Sequence, residues 1–380
     1  MATDVVAPAI PFGVASQIST RPSFQVQPTE LGAGTTSITP IQIPAVGYLN
    51  SILLDVAIKI DGTPGTLLKD APFSVIDRIN LRNAAGVNLL TPVTGFQLYA
   101  INKYGGMTTF GDSADPVAGP GYVVDNTEDG EIHFMLSIPL GIDIEDGYGA
   151  FPALASNANY QIEISLSPMT KVWQTAPDGA TVAINGTAVY FDLPAATDSQ
   201  GVAQETQPPS NAVSIWQVET PVVSSGNQLV QSFNTGNIIR THILILRDAS
   251  GNRLDSALPE KFELRLDNDT RFSLTKREFA FLMSRWFGFL AGSKKANAGD
   301  KWNSASQYQA ALDEGILVLP YNALMGAQAG DPNNSRAQLL ATLSTSLLQF
   351  NFQDFGANAA SLEILTQSIS TTDAEYLYNK

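Results

Sequence analysis

Site chemistry needs side chains that can hold protons, metals or electrophiles, and this chain carries few of them. It has no cysteine and two histidines, His133 and His242. Disulfides, thiolate metal sites and cysteine nucleophiles are therefore excluded together. Both histidines fall inside β-type runs, with no H-x-x-x-H or H-E-x-x-H spacing around them. Their types and spacing point to histidines satisfied within strands, not to metal ligands. No serine stands in the G-x-S-x-G context of a nucleophile elbow. Acidic clusters occur at residues 125–131 (DNTEDGE) and 142–146 (IDIED). Paired carboxylates can hydrolyse glycosides or hold calcium, but neither cluster has the spacing of a calcium loop. They read as solvated loop carboxylates. Asp267-Asn268-Asp269 reads as a turn after a strand. Neither G-x-x-x-x-G-K-[ST] nor G-x-G-x-x-G occurs, so nucleotide binding has no support. Trp173, Trp216, Trp286 and Trp302 could stack on sugars, but core or interface packing is the commoner use of large aromatics. No catalytic, cofactor-binding or metal residue is assigned. The expectation is a protein that is not an enzyme and takes no cofactor.

Composition agrees with a structural role. The 380 residues suit two domains better than one. Only 15% are charged, and the net charge is −15. Binding to nucleic acid needs Lys and Arg to displace counterions, so direct sequence-specific contact is not expected. The adjacent basic pairs, Lys276-Arg277 and Lys294-Lys295, read as solvated surface charge. The first twenty residues lack the basic start of a secretory signal. No apolar run approaches a membrane span, and the nearest, FAFLMSRWFGFLAG from Phe279, is interrupted by Arg285.

The elements that would position any site are mostly strands. Residues 51–60, 131–140, 160–166 and 187–193 in the first half are β-branched, aromatic or alternating. So are 241–246, 261–266, 315–319, 347–352 and 361–365 in the second. Asp61-Gly62, Asn185-Gly186 and Ser250-Gly251-Asn252 read as hairpin or loop-tip turns. Helical spacing appears at 94–104 and at 275–287, where Phe279, Leu282, Met283 and Trp286 form one stripe. Thr275 and Glu278 have the spacing of a capping box. Residues 337–345 also read as helical.

An internal repeat organises these elements. Residues 25–56 lie on 217–248, with Val26 on Val218 and Ile52-Leu53-Leu54 on Leu244-Ile245-Leu246. Residues 77–105 lie on 260–288, with Leu81-Arg82 on Leu264-Arg265, Phe96 on Phe279 and Tyr104-Gly105 on Phe287-Gly288. Ile138-Pro139-Leu140 meets Leu319-Pro320-Tyr321, and Tyr160-Gln161-Ile162 meets Leu348-Gln349-Phe350. The run 187–193 has its partner in 361–365. Between the copies lies PAATDSQGVAQETQPPSN, which reads as a linker. The expected division is an N-terminal arm at 1–20, a first domain at 21–194, a linker at 195–211 and a second domain at 212–380.

The copied strand–turn–helix unit at residues 77–105, with the run ending in Ile138-Pro139-Leu140 and then YQIEISL, resembles one known family. It resembles the double jelly-roll major capsid proteins of tailless, membrane-containing icosahedral bacteriophages, the tectivirus and adenovirus-hexon lineage. The resemblance implies an all-β fold of two tandem eight-stranded jelly-roll β-sandwiches with one short helix per copy. It implies a structural capsid protein of the virion, assembled in the host cytoplasm as a pseudo-hexameric homotrimer that tiles an icosahedral shell. It further implies neighbouring trimers, vertex or penton proteins, minor capsid proteins and an internal membrane as partners. Long tower insertions are absent, which implies a low outer surface. Two other classes stand beside it: a two-domain β-sandwich adhesin or spike protein that binds glycans, and a sandwich-type glycosidase.

Overall fold

A computed structural model describes residues 8–44, 46–105, 122–142, 146–152, 159–208, 213–255, 258–279, 281–282, 314–321, 339–356 and 359–370. The first half supplies β1 (Ile18–Glu30), β2 (Ile41–Pro44), β3 (Tyr48–Asp61), β4 (Ile76–Arg82), β5 (Asn88–Val93), β6 (Glu131–Pro139), β7 (Asn159–Leu166) and β8 (Gly179–Phe191). Its described residues also form the single-turn helix α1 (Phe12–Ala15), the helix α2 (Gly95–Tyr104) and short 3-10 turns. The second half supplies β9 (Val213–Glu219), β10 (Gly226–Ser232), β11 (Ile238–Arg247), β12 (Lys261–Leu266), β13 (Asp269–Thr275), β14 (Ile316–Pro320), β15 (Leu348–Phe355) and β16 (Ser361–Ser370). Shorter bridging strands extend some edges.

The strands form two four-stranded layers per half. The first half is ordered β1-β8-β3-β6 and β2-β7-β4-β5. The second is β9-β16-β11-β14 and β10-β15-β12-β13, the same orders with eight added to every number. The repeat expected from sequence is therefore a repeat of topology, in an all-β fold of two tandem eight-stranded sandwiches.

Alternation builds each core. In β7, Tyr160, Ile162, Ile164 and Leu166 are buried, while Gln161, Glu163 and Ser165 are only partly covered. Successive side chains on a strand point to opposite faces, so one face of β7 lines the sandwich. Phe73 stacks on Tyr99 at 4.2 Å and meets Phe134 edge-on in the first core. Phe262, Phe350, Phe352 and Phe355 cluster in the second. In contrast, β11 is buried at every residue from Ile238 to Leu246. Both faces of that sheet are covered, one by its own sandwich and one by the first half.

The halves also share a sheet. β9 runs parallel to β5 with Trp216 opposite Leu90, and the Val218 amide donates to Thr91 Oγ1 at 3.0 Å. The layer β2-β7-β4-β5 thus continues into β9-β16-β11-β14.

Three expectations change. Asn185-Gly186 is no turn: it lies in mid-strand in β8, opposite Asp55 and Leu54. A Cβ at Gly186 would stand 2.0 Å from the Phe24 ring, so the glycine serves close approach. Within 337–345, Leu340 and Ala341 form a short strand on Ile239 and Ile238, because the edge of β11 that β14 leaves unpaired offers them a ladder. Residues 337 and 338 lie outside the described residues. The alignment of β1 on β9 joins strand to strand but exchanges faces. Val26 pairs with Ile184 inside its sandwich, whereas Val218 pairs with Leu365 on the face turned to the first half.

The segment before β1 packs against the first sandwich. Phe12 is buried against Tyr48 and Phe191. The Ile10 amide donates to Ala203 O, and its carbonyl accepts from the Glu205 amide, both at 2.9 Å or less.

Candidate assembly site at the junction of the two sandwiches

α2 starts at a capping box. Thr94 Oγ1 accepts from the Gln97 amide, and the Gln97 side-chain oxygen accepts from the Thr94 amide. This leaves the Gln97 side-chain nitrogen to donate to Glu363 Oε2 at 2.8 Å, across the halves. Every residue of α2 is buried, including Asn102 and Lys103: one side packs on the first sandwich, where Asn102 exchanges hydrogen bonds with the Ser137 backbone, and the other meets the second sandwich.

Charged groups close this junction. Asp70 holds Arg247 Nη1 at 2.6 Å and Arg253 Nε at 2.7 Å. Arg247 Nε meets Glu363 Oε1 at 2.5 Å. The Phe96 ring lies 4.2 Å from the Arg253 guanidinium carbon and 5.6 Å from that of Arg247. Burial alone would favour a neutral Arg247, but Glu363 and Asp70 beside it outweigh burial and hold its pKa above the ordinary value. At the other end of α2, buried Arg240 donates to the Gly105 carbonyl and to Gln367 Oε1, the latter at 2.8 Å. A cation at a helix C-terminus meets its orphan carbonyls and the negative end of its dipole. Burial pulls the Arg240 pKa down to about 10, which leaves it charged at neutral pH. Trp216 packs against Gly105, where an added Cβ would stand 3.0 Å from its ring.

The residues singled out in the sequence are scattered. His133 lies on β6, 2.9 Å from Glu131. His242 is buried on β11, with Nδ1 2.7 Å from the Tyr321 hydroxyl and its ring edge-on to Phe350. Burial lowers its pKa to about 3, so it is neutral. The first acidic cluster closes turns: Asp129 Oδ1 accepts from the Gly62 amide, and Asp125 Oδ1 accepts from Thr127 Oγ1. In the second cluster, Asp146 Oδ1 accepts from the Tyr148 amide, and residues 143–145 lie outside the described residues. Asp267 and Asn268 take positive φ in the tight turn between β12 and β13. Trp173 is buried in the first core. Trp286, Trp302, Lys294 and Lys295 lie outside the described residues. Among the described residues, no group of three or more His, Asp and Glu could hold a metal ion, and no helix is long and apolar enough to cross a membrane. The sequence reading missed the junction ion pairs, because Asp70, Arg247, Arg253 and Glu363 are far apart in the chain.

The arrangement does not gather titratable groups in a cleft. It joins two sandwiches, and solved structures share the overall fold. A chain in a structure of Sulfolobus Turreted Icosahedral Virus superposes with a TM-score of 0.59 at 16% identity, over 96% of this chain and 94% of its own. The PBCV-1 virus capsid gives 0.58 at 11%, over 93% and 94%. The fold is a double jelly roll. The major capsid protein of bacteriophage PM2 matches this double jelly roll at 0.51 and 10% identity, over 94% and 99%. No family model matches the sequence, and no curated protein matches it either. At such identities the double jelly roll is what is shared.

A last feature of the second jelly roll is open. Its equivalent of α2 begins after Thr275, and the capping box forms: Glu278 Oε2 accepts from the Thr275 amide at 2.8 Å and from its hydroxyl at 2.9 Å. Phe279 is buried against Phe262, but Phe281 is 69% exposed. Leu274, Arg277, Glu278, Phe281 and Leu282 line a shallow groove there. The rest of the expected helix, from residue 283, lies outside the described residues.

Proposed function

We propose that this chain is a major capsid protein that self-assembles into the shell of an icosahedral virion as a homotrimer of pseudo-hexameric outline. The observation that carries this reading is the end-to-end match to capsid double jelly rolls, over more than nine-tenths of both chains in each case. Physical features support it. The two jelly rolls are fused through one sheet and a buried ionic junction, so a single chain can fill two adjacent lattice positions. In this reading the chain divides into an arm at 1–20, jelly rolls at 21–194 and 212–380, and a linker at 195–211. Its work is assembly and not catalysis, with His242 and the acidic loops serving structure. Its partners are its own copies first, then vertex and minor capsid proteins and an underlying membrane. Nucleic acid is not bound by direct sequence-specific contact, in keeping with the charge of −15. Light scattering on the purified chain tests the reading: a compact trimer is expected, and a strict monomer at high concentration would overturn it.

A further inference from the structure

Arg240 enters the junction from a bulge. Ile239 faces Ser368 on β16 and Thr241 faces Gln367, so Arg240 stands between them as an extra residue of β11. A bulge of this kind re-aims a side chain. Here it turns a guanidinium, 3% exposed, onto the end of α2. The acceptors it finds there, the Gly105 carbonyl and Gln367 Oε1, are both neutral. Among the described residues Arg240 pairs with no carboxylate, in contrast to Arg247 and Arg253. A helix C-terminus supplies only about half a negative charge. An ion taken out of water with so little compensation is costly.

The atoms around this charge are short of acceptors as well. Arg240 Nε, Trp216 Nε1 and Thr241 Oγ1 are all buried without a hydrogen-bond partner. Trp216, Gln367 and Thr241 lie opposite one another in a single row across β9, β16 and β11. Side chains of such a row share one face of the sheet. The Trp216 ring reaches Gly105, whose carbonyl Arg240 holds, so indole and guanidinium flank the same residue. Gln367 is already spent: its oxygen accepts from Arg240 Nη1, and its nitrogen donates to Ser214 Oγ at 3.0 Å. The guanidinium and indole N–H groups can only donate, and the Thr241 hydroxyl is free to donate.

We infer that the junction holds a small inorganic anion of the chloride class, bound by Arg240 Nε, Trp216 Nε1 and Thr241 Oγ1. Three donors beside a positive charge in a dry seam match an acceptor that is itself charged. One negative charge balances one guanidinium, whereas phosphate or sulfate would bring a second charge with no cation to meet it. At the equivalent bulge of the first jelly roll stands Asn50, between Leu49 and Ser51, and it carries no charge. The site is therefore single in each chain. It lies where the second jelly roll meets the end of α2, so the anion adds to the cohesion of the two halves. An ion that binds only the folded chain stabilises it in proportion to the logarithm of its concentration. This inference is independent of the assembly reading.

Thermal melting of the full chain tests it, in mixtures of sodium chloride and sodium gluconate at constant ionic strength, gluconate being too large for the seam. Replacing gluconate by chloride should raise the wild-type melting temperature by roughly 3 °C along a saturating curve. Thr241→Val keeps the side-chain volume and Trp216→Phe keeps an aromatic ring, while each removes one donor. Each should move the midpoint of that curve to about tenfold higher chloride. Arg240→Met should abolish the saturating response. Chlorine NMR line broadening, reversed by bromide, should report one bound ion per wild-type chain. A wild type without a saturating response, as water in the same place would give, overturns the site. A response of equal midpoint in the wild type, Thr241→Val and Trp216→Phe overturns it too, because the ion would then bind elsewhere.

Discussion

Gln97 and Glu363 meet at 2.8 Å across the two jelly rolls, and the same Gln97 side chain closes the cap of α2. One residue thus ties the start of a helix to the sheet that covers it. Glu363 passes the tie to Arg247, and Arg247 to Asp70. The network returns to the first half, where it began.

Asp70 is the only carboxylate among the described residues that contacts both Arg247 and Arg253. Its removal leaves two largely buried guanidinium groups short of a counter-charge. Breaking a buried pair from one side costs about 3–5 kcal/mol. Asp70→Ala should lower unfolding stability by about 3 kcal/mol, measured by urea denaturation. Loss of two-state behaviour, with the jelly rolls melting apart, is the expected form.

Gly186→Ala places a methyl group against the Phe24 ring. Overpacking of this kind costs about 1–3 kcal/mol. Phe24→Ala combined with it should recover part of that loss, because the space then exists. Thermal melting of both variants checks the coupling, and equal melting of single and double variants would deny it.

His242 is held neutral by burial, with a folded pKa of about 3 against an ordinary 6.5. The unfolded chain therefore binds more protons between these values, and stability falls as pH drops from 6.5 toward 3. Between pH 6.5 and 4.5 the loss from this group is about 2–3 kcal/mol. His242→Gln, which keeps a partner for Tyr321, should flatten that part of the pH dependence. Denaturation at the two pH values, compared between wild type and variant, separates His242 from the carboxylates.

Arg240→Met should expose the end of α2. It removes the donor from the Gly105 carbonyl and from Gln367 while keeping most of the side-chain volume. Leaving buried acceptors unpaired costs about 1–3 kcal/mol. Faster hydrogen exchange at amides near the C-terminal turn of α2 is the expected signature, and unchanged exchange there would contradict the role given to Arg240.

Local chemistry made the strands legible. YQIEISL alternates because one of its faces is dry, and its strand is bounded by Asn159 and Leu166. The capping box at Thr275 and Glu278 is equally local and forms as read. What sequence hid was tertiary. Asn185-Gly186 has the composition of a turn, but Phe24, far earlier in the chain, decides its use. THILIL gave no sign that β11 is covered on both faces, since a buried strand and a half-buried one share its residues. The ionic junction joins residues 70, 247, 253 and 363, which no short-range pattern connects.

The parallel step from β5 to β9 has a mechanical meaning. That step, one bridge between Trp216 and Leu90, ties the two halves edge to edge, and the Asp70 network pins its flank. Held at both places, the two halves make one tile. Any curvature in a surface paved with such tiles has to be set at the seams between chains, by the contacts there and by the angles they permit.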